Sequence, residues 1–341
     1  MARINREEFL KVLQSIAPGI NTKSLEDQSS CFVFKNKQVM SFNEEVACKQ
    51  SCKVTLTGAV QAKPLLDLLT KLTEEQIDVS TSDEHLIIKG KRRRGRLLME
   101  SEITMPIDEV TPPKRWKLLP SDFLDGIALV QEVAEKNDEK GFVTACVHIH
   151  PDYLEAAREY QVCRYRTKTP VVKATMIRRD SIRHITALGM VEFGESKNWM
   201  HFRNTTGLTL SCRRYVEEDE FSDTTQALKV KGAKVSLPKG IEAAAERAAI
   251  FSAENVSDSD VKVTIVSGKA TVTGTGASGD FTEIKTIEYD GRKLEFLISP
   301  VLLSNIVKRQ RECIVGKDKL KMRLGKFSYV TVLGSIEEDA E

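Results

Sequence analysis

Apolar residues along the chain follow two alternating periods. Short segments with an apolar residue at every second position, as in strands, surround segments with apolar residues three and four positions apart, as in helices. The order is clearest between residues 171 and 214, where a strand precedes a helix over 178–188 and three strands follow at 190–195, 199–203 and 208–213. This pattern predicts a β-α-β-β-β unit.

The same order recurs along the chain, and we predict six consecutive units in its 341 residues. Each helix has to bury its apolar stripe on a sheet, so two neighbouring units make one domain with two helices on one face. The predicted fold class is α+β with three tandem domains. A proline-rich segment at 111–113 and an acidic, polar linker at 217–225 mark the boundaries, which gives the domains 1–113, 114–225 and 226–341. The alternative is a generic α+β pattern to which these boundaries have been fitted.

Several element boundaries follow from the same pattern. The first strand of the second unit is predicted at 53–57, and the helix of the third unit over 120–136. In the fourth unit the first strand is predicted at 171–176. Ser299 followed by Pro300 predicts the start of the sixth helix, because proline fits the first helical position.

Composition restricts the class of protein. Hydrophobic residues make up 41% of the chain, enough for real cores, while Lys plus Arg (51) nearly balance Asp plus Glu (49). A net charge of +2 argues against gripping nucleic acid by bulk charge, so any such role depends on where the cations sit. No apolar run approaches the roughly 18 residues needed to span a bilayer, and the N-terminus lacks the apolar core of a signal peptide. The seven scattered cysteines, without a CxxC pair, indicate reduced, buried thiols and a cytoplasmic location.

The six-unit pattern, together with three local segments, resembles the bacterial-type DNA sliding clamp, the beta subunit of DNA polymerase III. The segments are residues 246–252 (ERAAIFS), 299–303 (SPVLL) and 328–333 (SYVTVL). The likeness in pattern covers the whole chain, whereas the likeness in residues is strong only in its last third. The chain is shorter than typical members and divergent, as expected of a phage- or plasmid-borne version.

The resemblance implies a DNA polymerase processivity factor that is not an enzyme. Two copies would join head to tail into a closed ring, helices inside and sheets outside, that encircles duplex DNA without reading its sequence. Pairing edge strands across each joint would remove the exposed edges of an open sheet. The implied partners are DNA, a second copy, and the replicative polymerase and clamp loader through short peptide motifs, with no cofactor and no membrane. The alternative is a clamp-fold scaffold that binds peptides without encircling DNA.

A ring of this kind needs a cationic inner wall that touches phosphates weakly and reads no bases. Arg179 and Arg183 illustrate the pattern, because residues four apart share one helix face. The third and fifth helices carry acidic residues, so the wall is expected to be patchy. For any single helix, the alternative is a charged face that is only solvated. The predicted DNA-binding residues on or beside the helices are Lys11, Lys63, Lys71, Arg178, Arg179, Arg183, Arg247, Lys308, Arg309 and Arg311.

The densest cationic cluster lies in a turn between two strands of the second unit. The resembling family carries a basic hairpin at the same place. The resemblance therefore implies that Arg92, Arg93, Arg94 and Arg96 contact phosphates at the ring face. The alternative is a solvated hairpin tip.

The resemblance also implies two protein-binding surfaces. Ile250 and Phe251 fall where the family packs apolar side chains across the ring joint; otherwise they are ordinary core residues of the fifth helix. A partner-peptide groove lies between the second and third domains in the family. Two segments, 157–162 and 332–336, differ from the family pattern, so different peptide preferences are expected. By position, the groove residues here are Val147, Tyr160, Val162, Val301, Val332 and Leu333.

No catalytic grouping stands out in the sequence, which disfavours an unrelated enzyme. His148 and His150 alternate on one strand and face the same side, as metal ligands can, but no third ligand has a suggestive spacing. The glycine-rich segment 274–279 lies between two strands rather than before a helix, so it is a loop and not a phosphate-binding motif. We therefore predict no catalytic residue and no metal site.

Overall fold

The computed structural model describes residues 2–23, 27–215, 221–252 and 260–334. A β-α-β-β-β order occurs six times, and the fold class is α+β as predicted. The acidic linker residues 217–220 and the end of the chain lie outside the described part. No helix within these ranges is long and apolar enough to cross a membrane. We use domain I, II and III for the three predicted ranges.

Domain I shows how the sequence starts and buries a helix. Helix α1 (Arg6–Ser15) begins after Asn5, whose side-chain oxygen accepts a hydrogen bond from the backbone N–H of Glu8 at 3.0 Å. The helix buries Phe9 and Leu13, one turn apart. The other elements are β1 (Ala2–Asn5), β2 (Cys31–Lys35), β3 (Gln38–Phe42), β4 (Val46–Ser51), β5 (Gly58–Gln61), α2 (Ala62–Lys71), β6 (Gln76–Ser82), β7 (His85–Lys89) and β8 (Arg94–Glu100).

Domain II contains a helix that is shorter than predicted. Helix α3 (Phe123–Val130) ends at Val130 rather than near residue 136. The chain tightens there, because the N–H of Val133 donates to the carbonyl of Val130 at 3.1 Å, and the apolar stripe continues in turns. The other elements are β9 (Lys117–Leu118), β10 (Cys146–His150), β11 (Tyr153–Arg158), β12 (Gln161–Arg166), β13 (Thr175–Arg178), α4 (Arg179–Ala187), β14 (Glu192–Glu195), β15 (Trp199–Arg203) and β16 (Thr209–Arg213).

Domain III has the predicted proline start of its second helix. Helix α6 (Pro300–Val307) follows Ser299 as N-cap, with proline in the first turn. The other elements are β17 (Ala233–Ser236), α5 (Ile241–Ser252), β18 (Val261–Val266), β19 (Lys269–Gly276), β20 (Gly279–Thr286), β21 (Leu294–Ile298), β22 (Glu312–Val315), β23 (Lys319–Leu324) and β24 (Phe327–Val332).

Two predicted first strands lie elsewhere in the structure. The strand predicted at 53–57 is replaced by β5, directly before α2, and the strand predicted at 171–176 is replaced by β13, directly before α4. Val54 and Leu56 are both buried, which explains the first prediction. However, no described residue pairs with this segment in a sheet, and a strand requires backbone pairing as well as alternating burial.

Two backbone joints connect the domains edge to edge. β4 pairs with β16, with Val46 opposite Cys212, and β12 pairs with β24, with Gln161 opposite Thr331. Each joint pairs the last strands of one odd-numbered and one even-numbered unit; because this strand is the third of those that follow the helix, we call it the third strand. The resulting sheets are 12-stranded (β1-β6-β7-β8-β5-β2-β3-β4-β16-β15-β14-β9), 8-stranded (β13-β10-β11-β12-β24-β23-β22-β17) and 4-stranded (β20-β19-β18-β21).

The two joints share one register. In every unit the last three strands form two antiparallel hairpins, so residues can be matched between units by counting from the turns. By this count Val46 is equivalent to Gln161, and Cys212 is equivalent to Thr331. These are the residues that face each other in the two joints. Any residue of one joint therefore has a defined counterpart in the other.

Two equivalent third strands are left over at the far ends of the chain. β20 pairs only with β19 among the described strands. β8 pairs with β7 along its length but with β5 only at Met99 and Glu100. The edge of β8 from Arg94 to Leu98 and the edge of β20 thus have no ladder partner within the described chain.

The two faces of the sheets are covered differently. All six helices bury their apolar stripes on one face, in one continuous core, and we call this the helix face. The opposite, outer face is crossed at each joint by the segment that connects two domains. Ile103, Met105 and Ile107 of the first connector cover the β4–β16 joint, and Ala227 and Leu228 of the second cover the β12–β24 joint.

Candidate nucleic-acid face and peptide groove

Cationic side chains project from the helix face. Because the helices bury their apolar stripes on the sheets, their polar stripes point away from the core. This brings the predicted helix cations onto one common face of the chain. By element, these residues are Lys11 on α1, Lys63 and Lys71 on α2, Arg179 and Arg183 on α4 with Arg178 at its N-cap, Arg247 on α5, and Lys308, Arg309 and Arg311 after the end of α6.

Some of these cations are paired with carboxylates and others are not. The described residues offer no ion-pair partner within 4 Å of Lys11, Lys71, Arg179, Lys308 or Arg311. Exposed pairs contribute only about 0–1 kcal/mol each, so a phosphate can compete for the cation. Besides Arg178, the paired predicted residues are Lys63 with Asp67 (2.7 Å), Arg93 with Glu74 (3.2 Å), Arg183 with Asp180 (3.8 Å), Arg247 with Glu283 (2.7 Å) and Arg309 with Glu132.

Two arginines of the arginine-rich hairpin lie on the face opposite the helices. Leu97 and Met99 of β8 pack against the helix-side core. Since side chains alternate along a strand, Arg94 and Arg96 lie on the outer face. Arg92 is exposed in the turn before β8. The structure therefore separates Arg94 and Arg96 from the other predicted DNA contacts.

Arg178 is engaged in the joint between domains I and II. Its guanidinium lies 2.7 Å from a carboxylate oxygen of Asp138 and 3.5 Å from one of Glu45. The hydroxyl of Tyr215 donates to the same Glu45 carboxylate at 2.5 Å, and the ring of Phe142 packs edge-on to Tyr215 at 4.6 Å. This network ties the β3–β4 turn of domain I to domain II, so Arg178 has a structural role in the joint.

A cavity of about 320 Å³ opens on the outer face of the β12–β24 joint. Val162 and Val330, which face each other across the joint, form its floor together with Ala157 of β11. Tyr160 and Val332 line one end; their side chains are 62% and 40% exposed. The arrangement is a largely apolar groove with an open entrance.

The connector between domains II and III forms one wall of this groove. Side chains of three strands hold it in place. The Phe221 ring stacks on His148 with centroids 4.4 Å apart, the Arg164 guanidinium donates to the Thr224 hydroxyl at 3.1 Å, and Lys321 Nζ donates to the Leu228 carbonyl at 2.7 Å. Burial lowers the pKa of Lys321, and the charges of Arg323 and Arg166 act in the same direction.

Three charged side chains line the groove. Arg158 is paired with Glu135 at 3.4 Å, and Glu159 is paired with Lys140 at 3.1 Å. Lys319, at the start of β23 and directly opposite Val332 in the sheet, has no ion-pair partner among the described residues. Among the described residues, Lys319 is therefore the one charged side chain of the groove without an ion-pair partner.

The predicted groove residues are only partly brought together. Val147 and Leu333 are buried in the helix-side core, and Val301 is exposed on α6 outside the cavity. The predicted residues that line the cavity are Tyr160, Val162 and Val332.

Sequence reasoning missed Val330, Ala227 and Lys319. Val330 had a usable signal, because it precedes Val332 by two positions on one strand and so shares its face. Ala227 and Lys319 reach the groove from a connector and from a neighbouring strand. No local sequence pattern marks either of them.

The equivalent place in the β4–β16 joint is filled. Counting from the hairpin turns, Phe42 corresponds to Ala157 and Trp199 corresponds to Lys319. The two rings pack against each other with centroids 6.0 Å apart, under Ile107 of the first connector. Only a cavity of about 20 Å³ remains there.

A buried histidine lies in this filled joint. His201 of β15 is fully buried, and its ring nitrogens contact the hydroxyls of Ser196 at 3.0 Å and Ser211 at 2.8 Å. Burial lowers the pKa of His201 to about 4. The residue is therefore neutral at pH 7.

The residues predicted at the ring joint lie beside the free edge of β20. Ile250 is 69% exposed on α5. The next residue, Phe251, is half-buried, and its ring stacks parallel to that of Phe281 on β20 with centroids 6.0 Å apart. Together they give this edge an apolar flank on the helix face.

The pair His148 and His150 is occupied by aromatic contacts. The two rings are 6.3 Å apart; His148 stacks on Phe221, and His150 stacks on Tyr153 at 4.2 Å. Within the described ranges, no group of three or more His, Cys, Asp or Glu side chains is arranged to hold a metal ion.

Comparisons with known proteins identify the fold. No protein-family model and no curated protein sequence matches this chain. Solved structures do match over 98% of this chain and 99% of theirs: a DNA polymerase sliding clamp from Pseudomonas aeruginosa (TM-score 0.83, 16% identity), a DNA polymerase III beta chain from Streptococcus pneumoniae (0.83, 14%) and pol III beta from Caulobacter crescentus (0.83, 14%). The chain thus has the fold of these beta subunits from end to end, which confirms the fold predicted from the resemblance.

Proposed function

We propose that this protein is a DNA polymerase processivity factor. Two copies join head to tail into a ring that encircles duplex DNA, and the replicative polymerase and the clamp loader dock through short peptides in the groove. The ring holds DNA because it is closed, while the cations of the helix face touch phosphates weakly and without base specificity. The fold shared with sliding clamps and the common face of the cations support this proposal.

The observation that carries the proposal is the pair of unmatched third strands. Within the chain, odd-numbered and even-numbered units are joined through their third strands, as β4 with β16 and β12 with β24. Only β8, from an even-numbered unit, and β20, from an odd-numbered unit, lack such a partner in the described chain. A second copy would supply both missing partners, and pairing these two edges at both ends would close the two chains into a ring.

The shared register predicts which residues meet in the closing joint. The pair Val46–Cys212 corresponds to Phe281 opposite Leu97 of the second copy. On the helix face these two apolar side chains meet beside Phe251. On the outer face the closure shields Leu98 and Ile284, which are 65% and 58% exposed in the single chain. The other expected pairs are Asp280–Leu98, Thr282–Arg96, Glu283–Gly95 and Ile284–Arg94.

A cross-linking experiment tests the closure and its register together. In the variant Arg96→Cys/Thr282→Cys, the two thiols face each other on the outer face of the predicted joint. A short bis-maleimide should convert most of the protein to a covalent dimer, and light scattering before treatment should give about twice the 38.2 kDa of one chain. All seven native cysteines are buried, so background reaction should be low.

The matched control is Leu97→Cys/Thr282→Cys, which shifts one partner by a single residue. A one-residue slip places the side chain on the other face of the sheet, so this variant should cross-link poorly. Equal cross-linking of both variants would contradict the register, and a monomer at micromolar concentration would contradict the ring.

Retention on DNA tests the topological claim. The cross-linked ring, closed around circular duplex DNA, should stay bound in high salt and be released when the circle is cut. Retention on linear DNA that equals retention on circles would contradict encirclement. Peptide binding without retention on circles would instead indicate a clamp-fold scaffold.

A further inference from the structure

A second cavity of the outer face is lined by cations. It has a volume of about 500 Å³ and lies over β23, β22 and β17 of the 8-stranded sheet, beside the groove but separate from it. The side chains of Lys234, Lys321 and Arg323 line it, and we call it the cationic pocket. We propose that the cationic pocket binds a small phosphorylated ligand that carries at least two negative charges.

The sheet brings the three cations to one place. Lys321 and Arg323 share the outer face of β23, because Met322 between them packs in the helix-side core. Lys321 lies opposite Ile314 of β22, which lies opposite Lys234 of β17. Neighbouring strands are about 4.8 Å apart, so the backbones of the two lysines are about 10 Å apart. Their long side chains can therefore contact one ligand between them.

The positive charge of the pocket is not compensated within the described chain. Its charged lining consists of three cations and one carboxylate, that of Glu312, which gives a net charge of +2. None of the three cations has an ion-pair partner within 4 Å among the described residues. Burial lowers the pKa of Lys321 most, and the nearby charges of Arg323 and Arg166 lower it further. A ligand with two negative charges would compensate the net charge and relieve this crowding.

In the equivalent place of domain II, the corresponding arginine is paired with its neighbour. Counting from the hairpin turns, Arg203 corresponds to Arg323, and Glu192 corresponds to Glu312. Arg203 Nε donates to the Glu192 carboxylate at 2.6 Å. Arg323 instead donates from Nε to the carbonyl of Gly325 at 3.3 Å, and its terminal nitrogens have no hydrogen-bond partner among the described residues. They are available to a ligand.

The two lysines replace residues that close the equivalent place. His201, which is fully buried and neutral at pH 7, corresponds to Lys321. Trp116, which directly precedes β9, corresponds to Lys234 of β17, and its ring covers the Arg203 guanidinium at 4.5 Å. The same backbone arrangement thus forms without either lysine. Folding therefore does not explain why three cations gather in the cationic pocket, whereas binding of an anion does.

The shape and chemistry of the pocket indicate a phosphorylated small molecule. An arginine offers phosphate a planar pair of donors, and lysines add mobile point charges. The Ser236 hydroxyl offers a further polar contact, and Ile314 forms an apolar part of the lining for the organic part of the ligand. A volume of about 500 Å³ lies in the range of small-molecule sites, about 300–1,000 Å³.

Calorimetric titration of the full-length protein with pyrophosphate tests the proposal. Binding should be saturable and should weaken as salt is added. Arg323→Gln should weaken it about tenfold, the scale of one charge-assisted hydrogen bond, and Lys234→Trp, which imitates Trp116, should abolish it. The matched control, Lys319→Met, removes a lysine from the same strand and face but outside the pocket, and should keep the affinity. Circular dichroism would confirm that each variant is folded.

Three further probes identify the source of the phosphate. A nucleoside triphosphate should bind at least as tightly as pyrophosphate and show the same loss in Arg323→Gln. Tighter binding of an oligothymidylate with the same number of phosphates would overturn the small ligand in favour of a nucleic-acid strand. Preference for an oligoglutamate peptide would overturn phosphate as the ligand. Absence of saturable pyrophosphate binding in the millimolar range, or binding that Arg323→Gln and Lys234→Trp leave unchanged, would overturn the pocket itself.

Discussion

The joints between domains I and II and between domains II and III use equivalent strands in the same register, yet one is packed and the other holds a groove. In the first, Phe42 and Trp199 fill the outer face under the connector. In the second, the equivalent positions are Ala157 and Lys319, and about 320 Å³ stays open. The side chains at these two positions thus distinguish the filled joint from the open one.

The comparison also separates the roles of the backbone and the side chains. The backbone pairing is the same in both joints, so it accounts for how the domains are held together. The side chains on the outer face take no part in that pairing and are free to differ. At the third, open pair of edges, the equivalent outer positions are the polar Thr273 and His85, and no connector crosses them within the described chain. In the proposed joint between copies, these two positions would therefore be polar and would lack a covering connector.

Removing the aromatic filling should have the largest effect. Phe42→Ala should lower the free energy of unfolding by about 3–5 kcal/mol, because it leaves a cavity in a buried cluster. Urea unfolding monitored by circular dichroism measures this. The control is Val332→Ala at the rim of the open groove, which is 40% exposed and should cost much less. Equal losses for the two variants would show that the first joint is no better packed than the second.

A change of pH should weaken the filled joint next most strongly. The pKa of His201 is about 4 in the folded protein and about 6.5 in an unfolded chain. Because the pKa of His201 is lower in the folded protein, the unfolded chain binds the proton at a higher pH than the folded protein does. The contribution of His201 is therefore fully present above about pH 6.5 and is lost as the pH falls towards 4. Between pH 7 and pH 5 it should remove about 2 kcal/mol.

The variant His201→Gln isolates this contribution from those of other histidines. Its free energy of unfolding, measured in urea at pH 7 and pH 5, should fall by about 2 kcal/mol less than that of the wild type over the same interval. An identical pH dependence of the two proteins would show that His201 is not the group responsible.

Filling the open joint should have the smallest effect, and one confined to binding. Ala157→Phe imitates Phe42 and should weaken groove-bound peptides about tenfold or more by occupying their apolar site. Thermal unfolding should change little, because the added ring enters an existing cavity. A large loss of stability would show that the open joint cannot adopt the packing of the filled one.

The sequence determined the architecture to a large extent. Its alternating periods predicted six repeats and an α+β fold, because period-2 and period-3.6 patterns are local properties of the chain. The boundaries predicted for α3, β5 and β13 were wrong. Apolar patterning extends into neighbouring residues that are neither helical nor paired in a sheet. The predicted cations on the helices followed from the same periodicity, and the structure places them on one face.

Only the tertiary structure decided how equivalent repeats are used. That Val162 faces Val330, or that Lys319 occupies the place of Trp199, depends on which strands meet and in which register. Val162 and Val330 lie more than a hundred positions apart, and the equivalence of Lys319 and Trp199 depends on two separate hairpins, so no local pattern contains either relation. The same is true of β8 and β20, which stand out as the third strands without a third-strand partner in the described chain only when all the others have been paired.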